Sequence, residues 1–405
     1  MKTSIFAFAS DLRDEGVDAV LDGVQHRAGL GGVTVAAAYH DGRDIFPHNP
    51  VRKVRFLESG AIFFRPDRGR WQGLRIQPRV SELTRDADPI ADVAEVAERR
   101  GLEVHAWTVF LHNDELAARH PDCAPQNAFG DAYLTELCPA NPDVRAYARA
   151  LAANVARLGV ASIFAESLHY HPLEHGYAHE RYFVELGALG RYLLGVCFCE
   201  HCLAAARRRG VDADAVRRFA RRELERRFAH QAAEPEGDLD VEQVGALAGG
   251  ELAGYVSARI ETVASLAAEA ADAAGEVTFA FMDPSGAIKG YATGRPTGGP
   301  APMIAWQLGV QPRAIARACG ALAAIGYAAQ PERVGLDLDA YRTLAEGAEL
   351  SLALRPTPPD CDSAENLTAK LRIARDAGVA RVHLYHYGFM RLETLDLIRE
   401  ALASA

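Results

Sequence analysis

The chain has 405 residues, of which 49% are hydrophobic and 24% charged, a balance typical of a globular protein with a substantial core. Its formal net charge of −10 argues against a nucleic-acid partner, because nucleic-acid backbones are bound by basic surfaces. No run approaches the ~20 apolar residues of a membrane span, and the apolar stretch near the N-terminus is shorter than the ~7 residues of a signal-peptide core. With seven cysteines, three of them clustered, the sequence predicts a reduced, cytoplasmic protein without a membrane partner.

Eight short apolar runs predict β-strands, and most of them are followed by a helical pattern rich in Ala, Leu and Arg. Near-continuous apolar strands that alternate with helices are typical of parallel strands buried on both faces. Eight such units predict an α/β protein with the (β/α)8 architecture of a TIM barrel. A doubly wound open sheet is the alternative, but no glycine-rich phosphate loop follows the first strand. The predicted strands are Ile5–Ala9, Val33–Tyr39, Val104–Leu111, Val160–Ala165, Val277–Met282, Ala321–Ala328, Leu350–Leu354 and Val379–Tyr387.

Two insertions interrupt this alternation. The run V-R-F-L-E-S-G-A-I-F-F over Val54–Phe64 predicts a β-hairpin after strand 2 that turns at Ser59-Gly60. Residues 187–273 have a helical composition and predict a long helical insertion after strand 4. Nothing marks an interdomain linker, so we expect residues 1–405 to form a single barrel domain that contains the 187–273 insertion.

Three cysteines within six residues open the helical insertion. Cys197, Cys199 and Cys202 lie in the run C-F-C-E-H-C. Thiolates are ligands that zinc takes in tetrahedral structural sites, where the fourth ligand is often a distant Cys or His. The alternative is that the three side chains simply pack, as free cysteines often do.

Acids at the carboxyl ends of the strands are the main catalytic candidates, because TIM-barrel chemistry lies at that end. Glu166 follows S-I-F-A directly, where a buried strand surfaces into the expected mouth. Partial desolvation there would raise the pKa of the carboxyl and suit a general acid. Asp283, which follows F-A-F-M, is the second candidate. The structural alternatives are an acid paired with arginine for Glu166 and an Asp-Pro turn for Asp283.

Aromatic and polar side chains near the strand ends predict a carbohydrate pocket, since sugars bind through flat apolar faces combined with hydrogen bonds. The loop after Glu166 carries His169, His171, His175 and His179, so a catalytic metal is an alternative, although the spacing matches no metal signature. The predicted substrate-binding residues are Tyr39, His40, Trp107, His112, Asn113, His169, Tyr385 and His386.

An acid that ends strand 4, followed by an excursion bearing C-F-C-E-H-C, resembles the β-galactosidases of glycoside hydrolase family 42 and related uncharacterised barrels. The similarity is clearest over residues 130–210. In that family, a C-x-C-x-x-C cluster and one earlier cysteine hold a structural zinc near the barrel rim. The family's stretch around that earlier cysteine is matched in this chain by L-C-P-A-N-P over Leu137–Pro142. The resemblance therefore implies Zn²⁺ at Cys138, Cys197, Cys199 and Cys202, with Cys123 in reserve as the fourth ligand.

The resemblance also maps the family's acid/base glutamate onto Glu166, although Ala165 stands where the family has asparagine. The family's nucleophile, a glutamate that ends strand 7, has no match in L-S-L-A-L-R-P-T-P-P-D. Glu166 and Asp283 are then the expected carboxylate pair, with Asp360 and Asp362 as fallback partners. A separation of about 5–5.5 Å would indicate a retaining mechanism, and about 6.5–9.5 Å an inverting one.

These observations and the resemblance imply a glycosidase that cleaves a small glycoside or oligosaccharide by carboxylate general acid/base chemistry. One alternative is a non-catalytic sugar-binding barrel, which the missing strand 7 glutamate supports. Another is a metal-dependent hydrolase or isomerase that uses the histidine loop. The expected partner is a small-molecule carbohydrate, and homo-oligomerisation is left open.

Overall fold

A closed barrel of eight parallel strands forms the centre of the protein. The computed structural model describes residues 1–173, 180–230 and 237–405. Consecutive strands pair in parallel, and the first strand pairs with both the second and the last, which closes the sheet. Each predicted strand overlaps one barrel strand, so the predicted TIM-barrel fold is confirmed. The strands are β1 Lys2–Ala7, β2 Gly32–Tyr39, β3 Glu103–Val109, β4 Ser162–Glu166, β5 Thr278–Met282, β6 Ala321–Ile325, β7 Glu349–Leu354 and β8 Arg381–Leu384.

Helices surround the barrel, and several begin where a polar side chain caps the first turn. Asn141 accepts hydrogen bonds from the backbone of Asp143 and Val144, directly before a proline at the first helical position. The helices are α1 Ala9–Glu15, α2 Val17–Asp22, α3 Arg68–Trp71, α4 Pro89–Arg100, α5 Asp114–Arg119, α6 Pro142–Val155, α7 Gly187–Gly195, α8 Glu200–Arg208, α9 Ala213–Ala229, α10 Val241–Gly245, α11 Glu251–Ala274, α12 Ser285–Ile288, α13 Pro312–Cys319, α14 Pro331–Leu344, α15 Ala364–Asp376 and α16 Glu393–Ser404.

Alternation along each strand divides the core into an interior and an outer layer. Ile163 and Ala165 of β4 pack in the layer between sheet and helices, whereas Phe164 packs inside the barrel. Glu166 is therefore on the inward side of the same strand. On β5 the outward side carries Phe279 and Phe281. The next residue on that outward side is Asp283.

The floor of the barrel interior is a hydrogen-bonded polar layer. The hydroxyls of Ser4 and Thr34 each lie 2.8 Å from Nδ1 of His383. Nδ1 of His105 lies 2.8 Å from the hydroxyl of Ser162. Burial lowers the pKa of His105 to about 4, so the imidazole is neutral at pH 7. This layer satisfies the polar groups that would otherwise be buried without partners.

A hairpin follows β2, but the prediction of its strands was wrong. Arg43–Ile45 pairs antiparallel with Val54–Phe56, whereas Ala61–Ile62 pairs with the end of β2. Gly60 has a φ of 60°, and a Cβ there would lie 2.2 Å from Oδ1 of Asn113. This tight turn carries the second run to the sheet edge instead of back onto the first.

The segment after β4 contains five helices among its described residues, α7 to α11. They enclose a hydrophobic cluster of their own that includes Leu193, Val216 and Tyr255. The last helix runs one residue beyond the predicted end of the helical insertion. Among the described residues, no single helix satisfies the length and hydropathy test for a membrane span, and α7 with α8 does so only as a pair bent by 99°.

Candidate functional site

Glu166 ends β4 and presents its carboxyl to the barrel mouth, where it remains partly exposed. Nε1–H of Trp107 on β3 donates a hydrogen bond to Oε2 of Glu166. Burial raises the pKa of Glu166 from 4.5 to about 7, and the hydrogen bond from Trp107 opposes that rise. About half of the carboxyls are thus protonated near neutral pH, as a group that gives up a proton requires.

The backbone after Glu166 is held in an unusual conformation. Ser167 has a φ of 57°, a left-handed conformation that residues other than glycine rarely adopt. The carbonyl of Ser167 accepts a hydrogen bond from Leu111 N–H at 3.0 Å, and that of Glu166 accepts one from Phe110 N–H at 2.9 Å. Such strain persists where surrounding contacts fix the backbone, often at functional sites. These bonds fix the direction in which β4 delivers its carboxyl.

Three predicted pocket residues surround this carboxyl. Tyr39 and Trp107 are in edge contact, with ring centroids 4.5 Å apart, and Trp107 lies 5.8 Å from Tyr385. Burial raises the pKa of Tyr39 and Tyr385, and the charge of Glu166 adds to the rise in both. Both hydroxyls therefore remain protonated. The structure brings together flat aromatic faces, hydroxyl donors and an acid at one site.

Arg355 stands where the resemblance would place a nucleophile. Ala353 of β7 points inward, and Arg355 is the next residue on that side. Its guanidinium carbon lies 4.4 Å from the ring centroid of Tyr327, and Nη2 donates to Oδ1 of Asp360 at 2.9 Å. The Asp360 side chain is fully buried in this ion pair, and Asp362 is exposed. Neither fallback acid therefore presents a carboxylate to the mouth.

Asp283 lies outside the mouth. Its carboxylate accepts hydrogen bonds from the Tyr341 hydroxyl at 2.6 Å and from Ser285 N–H at 2.9 Å. Tyr341 belongs to α14 in the outer ring, and Asp283 is 1% exposed. The structure thus corresponds to the turn alternative, in which Asp283 anchors the loop after β5 to a helix. It is not brought to Glu166 as a second carboxylate.

The histidines form a row beside the aromatic wall. His40 stacks on Tyr39 and on His112, with centroids 4.2 Å apart in both pairs. His112 lies 5.2 Å from His171, which lies 4.8 Å from His169. His175 and His179 lie outside the described residues. The row extends the polar rim of the mouth from β2 to the loop after β4.

Two predicted pocket residues are used in loop structure. Oδ1 of Asn113 accepts a hydrogen bond from Leu116 N–H at 2.9 Å and caps α5. His386 is 1% exposed, and its Nδ1 accepts from Gly388 N–H at 3.1 Å. Its ring stacks on Phe389 at 4.4 Å. Asn113 and His386 therefore stabilise the loops that surround the site.

An acid that the sequence reasoning missed lies on the hairpin after β2. Asp44 is half-buried, and burial raises its pKa. Its negative charge raises the pKa of Tyr39 and of Tyr385, as the charge of Glu166 also does. The buried Phe46 two residues later is a sequence signal that could have indicated the inward face of this strand.

Four buried cysteines converge beside the site. Sγ of Cys138 lies 3.8 Å from Sγ of Cys197 and 3.5 Å from those of Cys199 and Cys202. All four sulfurs lie within 4.8 Å of one another. Zinc bound at about 2.3 Å from each sulfur would require separations of about 3.8 Å, so the group fits a tetrahedral metal. The group can therefore hold a metal ion.

The surroundings of this cysteine group connect it to the loop after β4. Sγ of Cys197 accepts a hydrogen bond from Gln126 N–H at 3.4 Å, and Sγ of Cys202 lies 3.2 Å from the hydroxyl of Tyr170. Tyr170 follows Glu166 by four residues. Cys123, the reserve ligand, contacts Arg75 instead, with Sγ 3.8 Å from Nη1. Among the described residues, the metal-competent group consists of the four predicted cysteines.

A cavity of about 870 Å³ continues from the histidine row toward the helical insertion. It is lined by His171, by Arg191 and Tyr192 of α7, and by Lys289 after β5, among others. Nζ of Lys289 forms an ion pair with Asp238 of the insertion, which joins the two walls. The cavity has room for groups of a ligand that extend beyond the aromatic mouth.

No family model matches the chain, and no curated protein matches its sequence. Solved structures match its fold along its whole length: β-galactosidase from the psychrophilic Marinomonas ef1, with a TM-score of 0.54 and 12% identity; α-L-fucosidase isoenzyme 2 from Paenibacillus thiaminolyticus, with 0.53 and 12%; and the catalytic domain of β-amylase from Paenibacillus polymyxa, with 0.58 and 10%. The chain covers 59%, 49% and 98% of those chains, respectively. It thus spans about half the length of the first two. The chain has the barrel fold of these glycosidases, as the resemblance implied.

Proposed function

We propose that the protein is a glycosidase that cleaves a small glycoside or oligosaccharide, with Glu166 as the general acid. The observation that carries the proposal is a carboxyl with a pKa of about 7 at the inward end of β4, within an aromatic wall. The names of the structural neighbours, a galactosidase, a fucosidase and an amylase, agree with a sugar substrate.

In the proposed reaction, Glu166 protonates the glycosidic oxygen as the bond between that oxygen and C1 breaks. Trp107 keeps the carboxyl oriented through its N–H. The faces of Tyr39 and Tyr385 pack against the sugar ring, and their hydroxyls hydrogen-bond to its substituents. This pocket limits the access of water to the acid and so raises the fraction that is protonated near neutral pH.

We propose that the four cysteines bind structural Zn²⁺ rather than a catalytic ion. Four thiolates complete a tetrahedral shell and leave no open position for substrate, and bound zinc would supply a cross-link without redox chemistry. This cross-link joins the loop that bears Cys138 to the start of α8. A cytoplasmic location, where thiols stay reduced, agrees with this proposal.

A panel of aryl glycosides that differ in sugar and anomeric configuration tests the proposed function. We expect hydrolysis of at least one member and no effect of mild chelation, since the metal is structural. The position of Arg355 on β7 favours a second candidate, a sugar-binding barrel without turnover. Sugar binding detected by calorimetry, with no hydrolysis across the panel, would favour that candidate.

The activity is expected to fall above pH 7. A general acid must be protonated, so kcat/KM for substrates with poor leaving groups should decrease about tenfold per pH unit above the pKa of about 7. The measurement is a pH–rate profile that extends at least about 2 pH units to either side of the pKa of about 7. An alkaline limb well above pH 8 would assign the acid to another group.

Trp107→Phe is expected to shift the alkaline limb of the pH–rate profile to higher pH. The indole N–H stabilises the ionised carboxyl, so its loss should raise the pKa of Glu166 by about 1 unit. Trp71→Phe is the matched control, because Trp71 packs against Tyr147 in the outer layer. A limb that stays in place in Trp107→Phe would mean that this hydrogen bond does not tune the acid.

A further inference from the structure

The hairpin of Arg43–Ile45 and Val54–Phe56 lies over the barrel mouth. Its anchor is Phe46, which is fully buried and lies 5.4 Å from Phe389 and 6.1 Å from Phe8, measured between ring centroids. Phe8 in turn contacts Tyr39 at 5.0 Å. The hairpin is thus packed onto the same aromatic cluster that surrounds Glu166.

Alternation places Asp44 on the inner face of this hairpin. Side chains two residues apart in a strand share a face, so Asp44 points the same way as the buried Phe46. Ile45, between them, is 67% exposed on the outer face. Opposite Asp44, Arg55 also points inward and pairs with Asp14. Asp44 therefore faces the mouth from the hairpin, whereas Glu166 reaches the mouth from the end of β4.

Other buried acids near the mouth already have partners. Asp14 pairs with Arg55, Glu15 with His48, and Asp360 with Arg355. Glu136 lies 3.8 Å from His171, and Asp11 is fully buried and accepts a hydrogen bond from Phe8 N–H. Asp44 has no ion-pair partner within residues 1–173, 180–230 and 237–405. It is thus a half-buried carboxyl whose charge is not neutralised by a neighbouring cation.

Both carboxyls act on the same pair of tyrosines. The charges of Glu166 and Asp44 both act on Tyr39 and Tyr385. The two carboxyls belong to different elements, Asp44 to the hairpin and Glu166 to the end of β4. An inverting mechanism uses two carboxyls in this way, one to protonate the leaving oxygen and one to activate a water molecule from the other side.

We propose that Asp44 is the second catalytic carboxylate and acts as the base of an inverting glycosidase. The assignment rests on the proposed function. Asp44 takes a proton from a water molecule whose oxygen forms the new bond to C1. The bond from C1 to the leaving oxygen breaks, and Glu166 gives that oxygen its proton. The products are the sugar with inverted configuration and the free alcohol, and proton exchange with solvent resets both carboxyls.

The first test is the configuration of the product formed by the wild-type protein. Proton NMR of the first turnovers, on the best substrate of the aryl glycoside panel, distinguishes the two anomers before mutarotation. Inversion is the expected result, and retention overturns the assignment. Because this measurement needs no variant, it decides the question even if changes at Asp44 impair folding.

The second test compares Asp44→Asn and Asp44→Ala with Asp41→Asn, a change of an exposed acid on the same segment. Both Asp44 variants should lose at least about 10²-fold in kcat on activated and unactivated substrates alike, because water attack needs the base in either case. Asp41→Asn should stay within about threefold of wild type. Azide should restore turnover to Asp44→Ala and yield a glycosyl azide, since an anion needs no base.

The outcomes separate this assignment from the proposed function. If Glu166→Gln is impaired while Asp44→Asn hydrolyses at the wild-type rate, Asp44 is not the base and the glycosidase proposal stands. A folded Asp44→Ala protein that azide does not rescue also counts against Asp44. If the wild type hydrolyses no glycoside, both proposals fail.

Discussion

Glu166→Gln should lose at least about 10²-fold in kcat on aryl glycosides with poor leaving groups and much less on activated ones. A leaving group that departs without protonation does not need the acid, so the loss should grow as the leaving-group pKa rises. The measurement is a plot of log kcat against leaving-group pKa for wild type and variant. A uniform loss across the series would instead indicate a binding or structural role.

The matched control is Glu103→Gln, since Glu103 begins β3 at the opposite end of the barrel and pairs with Lys2. Changes at that end affect stability rather than chemistry. We expect kcat of this variant to stay within about threefold of wild type. A comparable loss in both variants would remove the basis for assigning the acid to Glu166.

Glu166→Gln should also stabilise the protein at alkaline pH. The pKa of Glu166 is raised by folding, so its stabilising contribution is fully present below pH 4.5 and is lost as pH rises through about 7. Glutamine does not ionise, and we expect a gain of about 1–2 kcal/mol at pH 8, reduced from the full shift because the side chain is partly exposed. Thermal melting at pH 5 and pH 8 measures the difference.

Cys138→Ser should abolish the proposed zinc binding and destabilise the protein by at least about 3 kcal/mol. Hydroxyl does not replace thiolate as a zinc ligand, and three buried thiolates would be left without a cation. The measurement is metal content by mass spectrometry with the melting temperature of the same samples. Because Tyr170 contacts Cys202, activity should decrease before the chain unfolds on heating.

Two cysteine variants serve as controls for the metal site. Cys319→Ser changes a partly exposed thiol at the end of α13, and Cys123→Ser changes the thiol beside Arg75. Both should keep the full metal content. Loss of metal in Cys123→Ser would show that the fourth ligand is misassigned, and metal-free wild-type protein would remove the zinc proposal altogether.

The eight strands were predictable because parallel barrel strands are buried on both faces and appear as apolar runs. Glu166 was predictable for the same reason, as the first charged residue after such a run. Asp283 follows an equally apolar run, yet its side chain lies on the outward side of β5, on the same side as Phe281. Which residues of a strand point into the barrel depends on the register between strands, and a short apolar run does not reveal that register.

The residues on irregular segments were harder to place. Asn113 and His386 are residue types that often line sugar pockets, but here their side chains accept hydrogen bonds from backbone N–H groups in loops. Asp44 lies in a three-residue strand whose partner begins nine residues later, so the spacing of Phe46 two residues after Asp44 was the one weak signal of its position. The cysteine group was predictable because three of its members lie within six residues, and the resemblance supplied the fourth.

The polar floor of the barrel has a kinetic consequence for the proposed reaction. Ser4, Thr34 and His383 close the interior below the aromatic rings, so a sugar bound at Glu166 has no passage through the barrel. Entry and departure share one opening, and the sugar occupies its inner end. The leaving alcohol must then diffuse away first. We expect the released sugar to inhibit competitively with substrate, because the free enzyme is the form that it can re-enter.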